Sequence, residues 1–451
     1  MNSDVEQFRK SFDTLLTRKS RTVLAKSAFA MDSLKESVAV RADSAGLPAV
    51  QEEHTAQRPI RQWFGKETAV NQGRIGCHPD FAHLEGTDEM EFHHITTMFV
   101  DIKNSTRLAL RYPLEEVQHI KNSILRAASE TVRAMDGHVH RFMGDALMAY
   151  FGGKNQPKES TAMAAVCCAA MLRTLMQQAV VPALNARQID ARDLGFRVGI
   201  DFGDDTEVLW SSYGFSEVNE VTATSFHVDA SAKLQSMASK DCAMLGNNLL
   251  HFLDLPEVLT PQKLEERDGK TVPVPFLRPN YRLSDGSSQN YAIRELNYEA
   301  FAALLPLPTE LKQQVALGIV ARDGVSFRAE IVGQQNVTRP YPSMSACLPK
   351  NVTIRFTLTA EPQSLDGLRL PLNGRFTKQN YGREAEEKSQ TKREVIEFTF
   401  RPTLDAFRNP KACVERFERD TAYRGVHIVT AELVDAGGRV VFKESIGVHI
   451  R

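Results

Sequence analysis

The strongest constraint on how this chain can fold is a pair of aspartates, each set where an apolar run stops. The first run, HITTMFVDIKNST (His94–Thr106), has strand composition and ends on Asp101 before a polar turn. The second, HVHRFMGDALMAYF (His138–Phe151), is an apolar alternation broken at Gly144-Asp145, a tight-hairpin signal. Between them, Val117, Ile120, Ile124, Ala128 and Val132 recur at helical spacing, with Pro113 before the helix and Asp136-Gly137 after it. Strand, helix and hairpin in that order place Asp101 at the C-terminal end of a central strand. They place Asp145 on the tip of the neighbouring hairpin. Two carboxylates and a backbone carbonyl such as that of Ile102 offer oxygen ligands to hard divalent cations, two ions per site, Mn²⁺ or Mg²⁺. Two such ions activate an attacking hydroxyl and neutralise a triphosphate. The backbone N–H groups of the turn Asn104-Ser105-Thr106 could cradle phosphates, and Ser105 and Thr106 could equally cap the helix that follows.

The elements continue in an α/β plan. STAMAAVCCAAMLRTLMQQAV reads as a helix, GFRVGIDFG (Gly195–Gly203) as a buried strand and SFHVDASAKLQSMAS as a further helix, giving a sheet covered on one face. From about Val325 the pattern changes to alternating strand-like runs, including NVTIRFTLTA, VIEFTFRP and a final pair broken by DAGGR. A β-sandwich fits them. The expected divisions are a helical and loosening N-terminal extension over 1–90, a catalytic unit over 91–300, and a β-sandwich over 310–451. Within the extension, Phe8, Phe12, Leu15 and Leu16 mark one helical face, suited to packing on the protein or a partner subunit more than to a membrane surface.

Composition narrows the function. A net charge of −1 argues against a chain that coats nucleic acid. Six cysteines without C-x-x-C spacing argue against structural zinc and a disulfide framework and suit a reducing, cytoplasmic setting. No apolar run of transmembrane length and no signal-peptide core are evident. His93-His94 and His138-x-His140 lack partners at zinc spacing, so packing or surface roles are expected.

Taken together, FVDIKNST…GHVHRFMGDALMAYFG…FRVGIDFG resembles the catalytic domain of class III nucleotide cyclases, over about residues 92–240. The resemblance implies a ferredoxin-like α/β domain that dimerises head to tail. It implies metal-binding aspartates, here Asp101 and Asp145, from one subunit and transition-state residues from the other. The helix VDASAK places Asp229 where the family carries a ribose-orienting asparagine and Lys233 where it carries a phosphate-stabilising arginine. Arg141 stands at the purine-selecting lysine position, and Thr222 where adenylate cyclases have a base-reading aspartate. Asn104-Ser105 replaces a Gly-Phe pair. A catalytic domain of this kind followed by a C-terminal β domain resembles the bacterial antiphage pyrimidine cyclases of the Pycsar system. That implies a homodimer making cyclic UMP or cyclic CMP from the triphosphate, read by a separate effector. Arg141 only donates hydrogen bonds, which suits the acceptors of uracil, or O6 of guanine, more than cytosine or adenine. A purine cyclase and a non-catalytic nucleotide-binding sensor are the competing readings. A palm-type polymerase or diguanylate cyclase would need a G-G-D/E-E-F hairpin, where this chain has MGDA.

Overall fold

The computed structural model describes residues 4–17, 56–66, 69–215, 218–277, 286, 290–401, 403–404 and 410–451. The catalytic unit is organised around β2 (Ile95–Lys103), preceded by the short strand β1 (Met90–Phe92). Alternation along β2 sends Met98, Val100 and Ile102 into one core and Ile95 and Phe99 towards another. The chain then forms α3 (Ser105–Ala109), α4 (Leu114–Ala134), β3 (His138–Met143) and β4 (Ala146–Phe151). Helix α5 (Lys158–Leu175) passes through a π turn into α6 (Val181–Ala186). There follow β5 (Gly195–Gly203), β6 (Leu209–Phe215), β7 (Val218–Thr224), α7 (Phe226–Met237), β8 (Cys242–Leu245) and α8 (Asn247–Leu253).

The central sheet has six strands in the order Arg294–Glu295, β8, β5, β2, β4, β3. Strand β2 lies antiparallel to both neighbours, with Asp101 opposite Ala146 of β4 and Arg197 of β5. Helices α4 and α5 bury one face. The expectation of a sheet covered on one face is corrected by the other. There Ile95, Met148 and Tyr150 pack with Trp210 and Val221 of a three-stranded sheet β1-β6-β7, and Phe81 stacks on Trp210 at 3.9 Å. The pleat of β4 explains this double covering, because Leu147 and Ala149 point to the helices while Met148 and Tyr150 point the opposite way. By length and composition Lys158–Ala186 could cross a membrane, yet 72% of its apolar window is buried inside the fold.

Residues 4–17 form a helix, α1, whose Phe8, Phe12, Leu15 and Leu16 are buried in the same core as α4 and α5. Phe8 meets Trp63 of α2 (Gln57–Trp63) at 5.3 Å, and the His119 ring reaches the Leu16 carbonyl at 2.7 Å. The apolar face of α1 is thus spent on the protein itself. The expected loosening after residue 17 falls largely outside the described residues.

The C-terminal region is two sheets around one core. One has the order Thr338–Pro340, Val325–Val332, Thr353–Ala360, Cys413–Asp420. The other has Cys347–Leu348, Val440–Ile450, Gly425–Val434, Leu372–Asn380, Glu394–Phe400. Phe327, Phe356, Phe376 and Phe417 pack between them. This region is seated on the catalytic unit. Met344, Cys347 and Val426 belong to the catalytic core, the His449 ring meets the Leu253 carbonyl at 2.9 Å, and Arg424 donates to the Phe252 carbonyl at 2.6 Å.

Candidate active site

Sheet register brings Asp101 and Asp145 to one end of adjacent strands. Asp101 pairs across the sheet with Ala146, so Asp145 follows directly in the β3–β4 turn. The Ile102 amide donates to the Asp145 carbonyl at 3.1 Å and ties that turn to β2. Gly144 holds φ +66°, the left-handed conformation that glycine adopts without a Cβ penalty, and so lets the turn close.

Each carboxylate has a cationic partner. Asp101 is 9% exposed and accepts from Arg197 Nε at 2.8 Å and also from its Nη2. Asp145 accepts from the Ser105 hydroxyl and lies 3.5 Å from Lys121 Nζ of α4. Two carboxylates, a guanidinium and an ammonium make a balanced cluster at the strand ends. An all-oxygen pair with one nearly buried member fits Mg²⁺ or Mn²⁺.

The turn after Asp101 differs from a simple phosphate cradle. Asn104 adopts φ 62°, and its amide donates to the Asp193 carbonyl at 3.0 Å. Helix α3 has only five residues, and its N-cap makes no side-chain hydrogen bond. Ser105 spends its hydroxyl on Asp145 rather than on a cap, and Thr106 is exposed.

Helix α7 is capped by Ser225, whose hydroxyl accepts from the His227 amide at 3.1 Å. Asp229 and Lys233 stand one turn apart on it. Asp229 is exposed, and Lys233 Nζ lies 5.2 Å from the centre of the Phe276 ring. Among the described residues neither has a hydrogen bond or ion pair to Asp101 or Asp145. The helix is anchored by His227, whose ring meets Asp201 at 2.8 Å. Burial lowers the His227 pKa, but Asp201 and Glu207 outweigh it and the net shift is upward.

A second cluster forms where β3 meets β7. Arg141 Nη2 lies 2.6 Å from Glu220 Oε2 and 3.0 Å from His140 Nε2. Thr222 shares a hydrogen bond with Tyr150 at 3.2 Å. Glu220, Arg197 and Lys121 escaped the sequence reading. A register-matched arginine two residues into a strand alternating around Gly199 could have pointed to Arg197; nothing in linear spacing points to Glu220.

The histidines divide. His138 and His140 both meet the Gly76 carbonyl, at 2.8 and 3.0 Å, as packing residues. His93, His94 and Asp205 place ligand atoms within 4.8 Å of one another. The Lys158 ammonium already pairs with Asp205, and with His94 it holds that carboxyl well below its usual range against the opposing effect of burial.

The family described as Adenylate and Guanylate cyclase catalytic domain matches residues 87–214, and the Adenylyl/Guanylyl and SMODS C-terminal sensor domain matches residues 308–451. A cytidylate cyclase of Escherichia coli is 34% identical over 409 residues, covering 88% of each chain. A cytidylate cyclase of Staphylococcus aureus is 32% identical, covering 90% of this chain and 88% of its own. A crystal structure of the adenylyl cyclase CyaB from P. aeruginosa aligns at 19% identity and TM-score 0.38, covering 46% of this chain and 95% of its own.

Proposed function

Because this chain belongs to the family of the E. coli and S. aureus cytidylate cyclases, we propose that it converts a pyrimidine nucleoside triphosphate to the 3′,5′-cyclic monophosphate and releases pyrophosphate. The observation that carries the reading is the register that sets Asp101 and Asp145 on adjacent strand ends beside Arg197 and Lys121. CTP is placed first and UTP second, a reversal of the order drawn from Arg141 alone, since the relatives are named cytidylate cyclases.

Divalent cations held by Asp101, Asp145 and the Ile102 carbonyl would lower the pKa of the 3′-hydroxyl and offset the triphosphate charge. The remaining work belongs to side chains. Arg197 and Lys121, released from the aspartates, meet phosphate oxygens. Lys233 meets the charge that develops at the α-phosphate, and such fixed charge contributes several kcal/mol, about 3 per donor. Asp229 orients the ribose.

Among the described residues, Lys233 and Asp229 make no hydrogen bond or ion pair to Asp101 or Asp145, which supports a site completed by a second copy. The β1-β6 sheet offers a surface for that copy, with Met90, Phe92, Tyr213 and Phe215 at 67%, 61%, 51% and 85% exposure. A cyclic pyrimidine nucleotide read by a separate effector, in antiphage defence, suits a cyclase joined to a domain of the sensor type. No membrane anchor is needed for such a role, and cytoplasmic residence suits it.

The test is incubation with ATP, GTP, CTP and UTP and Mn²⁺, with mass spectrometry of the products. Cyclic CMP as the main product is expected. A purine product would restore the purine-cyclase alternative, and absence of pyrophosphate from all four would leave a nucleotide-binding sensor.

A further inference from the structure

We propose that Glu220 is a specificity-determining residue that accepts a hydrogen bond from the exocyclic amino group of cytosine, with Arg141 donating to the ring edge beside it. The assignment rests on the cyclase reading and goes beyond it by naming the atom that separates CTP from UTP.

The two side chains come from distant positions, yet meet at 2.6 Å with 37% and 38% of their surface open. They are held from behind. His140, whose side chain is fully buried, directs Nδ1–H at the Gly76 carbonyl 3.0 Å away. Its Nε2 is then a lone pair, and it receives Arg141 Nη2–H at 3.0 Å. Glu220 Oε1 lies 3.1 Å from that same Nε2. Burial lowers the His140 pKa while the Gly76 carbonyl and Glu220 raise it, with the net shift downward. Glu220 Oε2 is thus pinned by Arg141 and Oε1 lies against the buried His140 ring. With more than a third of its side chain open, the carboxylate can accept a further N–H from the exposed side.

Cytosine presents an N4 amino donor next to the N3 and O2 acceptors, whereas uracil presents the O4 acceptor next to N3–H. A carboxylate beside a guanidinium complements the first order. In the same pose uracil sets O4 against Glu220 and N3–H against Arg141, two mismatches at once. Thr222, engaged with Tyr150, stands aside from this choice. The donor-only argument from Arg141 reached uracil because its acceptor partner lies 79 residues further along the chain.

The experiment compares wild type with Glu220→Gln, whose amide can donate to O4. Pyrophosphate release is measured with CTP and with UTP. The ratio of kcat/KM for CTP over UTP is expected to fall tenfold or more, while the circular-dichroism melt stays that of a folded protein. An unchanged ratio overturns the assignment. In parallel, equilibrium dialysis of cytidine and uridine 5′-monophosphates against the full chain reads base choice without turnover. Wild type should bind the cytidine compound more tightly; equal binding overturns the assignment even where the variant fails to fold. Absence of pyrophosphate from every triphosphate in wild type defeats the cyclase reading instead, and the dialysis still decides the role of Glu220.

Discussion

Replacing Arg197 with methionine separates the two demands on Asp101. Asp101 is nearly buried, and its carboxylate accepts twice from one guanidinium, with side-chain exposures of 12% for Asp101 and 23% for Arg197. Removing one partner of a fully buried pair costs about 3–5 kcal/mol. Partial solvent access at Arg197 and at the strand end reduces this to about 2 kcal/mol. A domain of this size then loses about 4–8 °C in melting temperature. Mn²⁺ supplies the missing positive charge, so millimolar Mn²⁺ should recover at least half of that loss in Arg197→Met. Asp101→Asn behaves in the opposite way. Its amide still accepts from Arg197, so the metal-free melt falls by only about 1 kcal/mol, while the Mn²⁺-induced rise seen in wild type disappears and turnover falls at least a thousandfold. Differential scanning calorimetry with EDTA and with Mn²⁺ reads the four melt responses, and a pyrophosphate assay reads turnover. A full Mn²⁺ response in Asp101→Asn would refute the reasoning.

Gly199→Ala should strongly destabilise the catalytic unit and move α7, because a Cβ there would lie 2.1 Å from the Ser231 carbonyl and 2.3 Å from the Gln235 amide; a melt within 2 °C of wild type would contradict this. Phe12→Ala removes a fully buried ring from the core shared by α1 and α4, with an expected loss of about 3–5 kcal/mol in urea unfolding. Stability should fall on acidification between pH 6.5 and pH 4. Burial holds His78 and His449 down to about 4, so the unfolded chain takes up protons in that window before the folded one does, at up to about 3 kcal/mol for each residue. A melting temperature independent of pH across that window would count against it.

The legible parts of the chain were those written in local pattern. Asp101 could be placed because apolar alternation runs up to it, and Asp145 because a Gly-Asp turn interrupts a second alternation. The face of α1 was likewise plain from the spacing of Phe8, Phe12, Leu15 and Leu16. The β6–β7 hairpin was not, since LWSSYGF buries Trp210 but exposes Tyr213 and Phe215, and VNEVTAT mixes polar with apolar residues, which blurs the two-residue period. Arg197 depends on the register between β2 and β5, and Glu220 on a meeting of β7 with β3. Linear spacing carries neither kind of information. Ser105 left two readings open for a related reason: a hydroxyl at a helix start suits a cap or a phosphate cradle, and only the fold shows the carboxylate it meets.

The seating of Met344, Cys347 and Val426 inside the catalytic core has a consequence for how this molecule can be divided. The two halves are not interchangeable cassettes. Cutting the chain near residue 310 would bare an apolar socket on the enzyme half and take Leu311, Val315, Met344, Cys347 and Val426 with the other. Evolution could swap such a C-terminal half only together with the surface of α5 and α8 that receives it. His449 on the last strand and Arg424 just before Gly425–Val434 hold the Leu253 and Phe252 carbonyls, so the C-terminal half is tied directly to the end of α8, which packs beside β5.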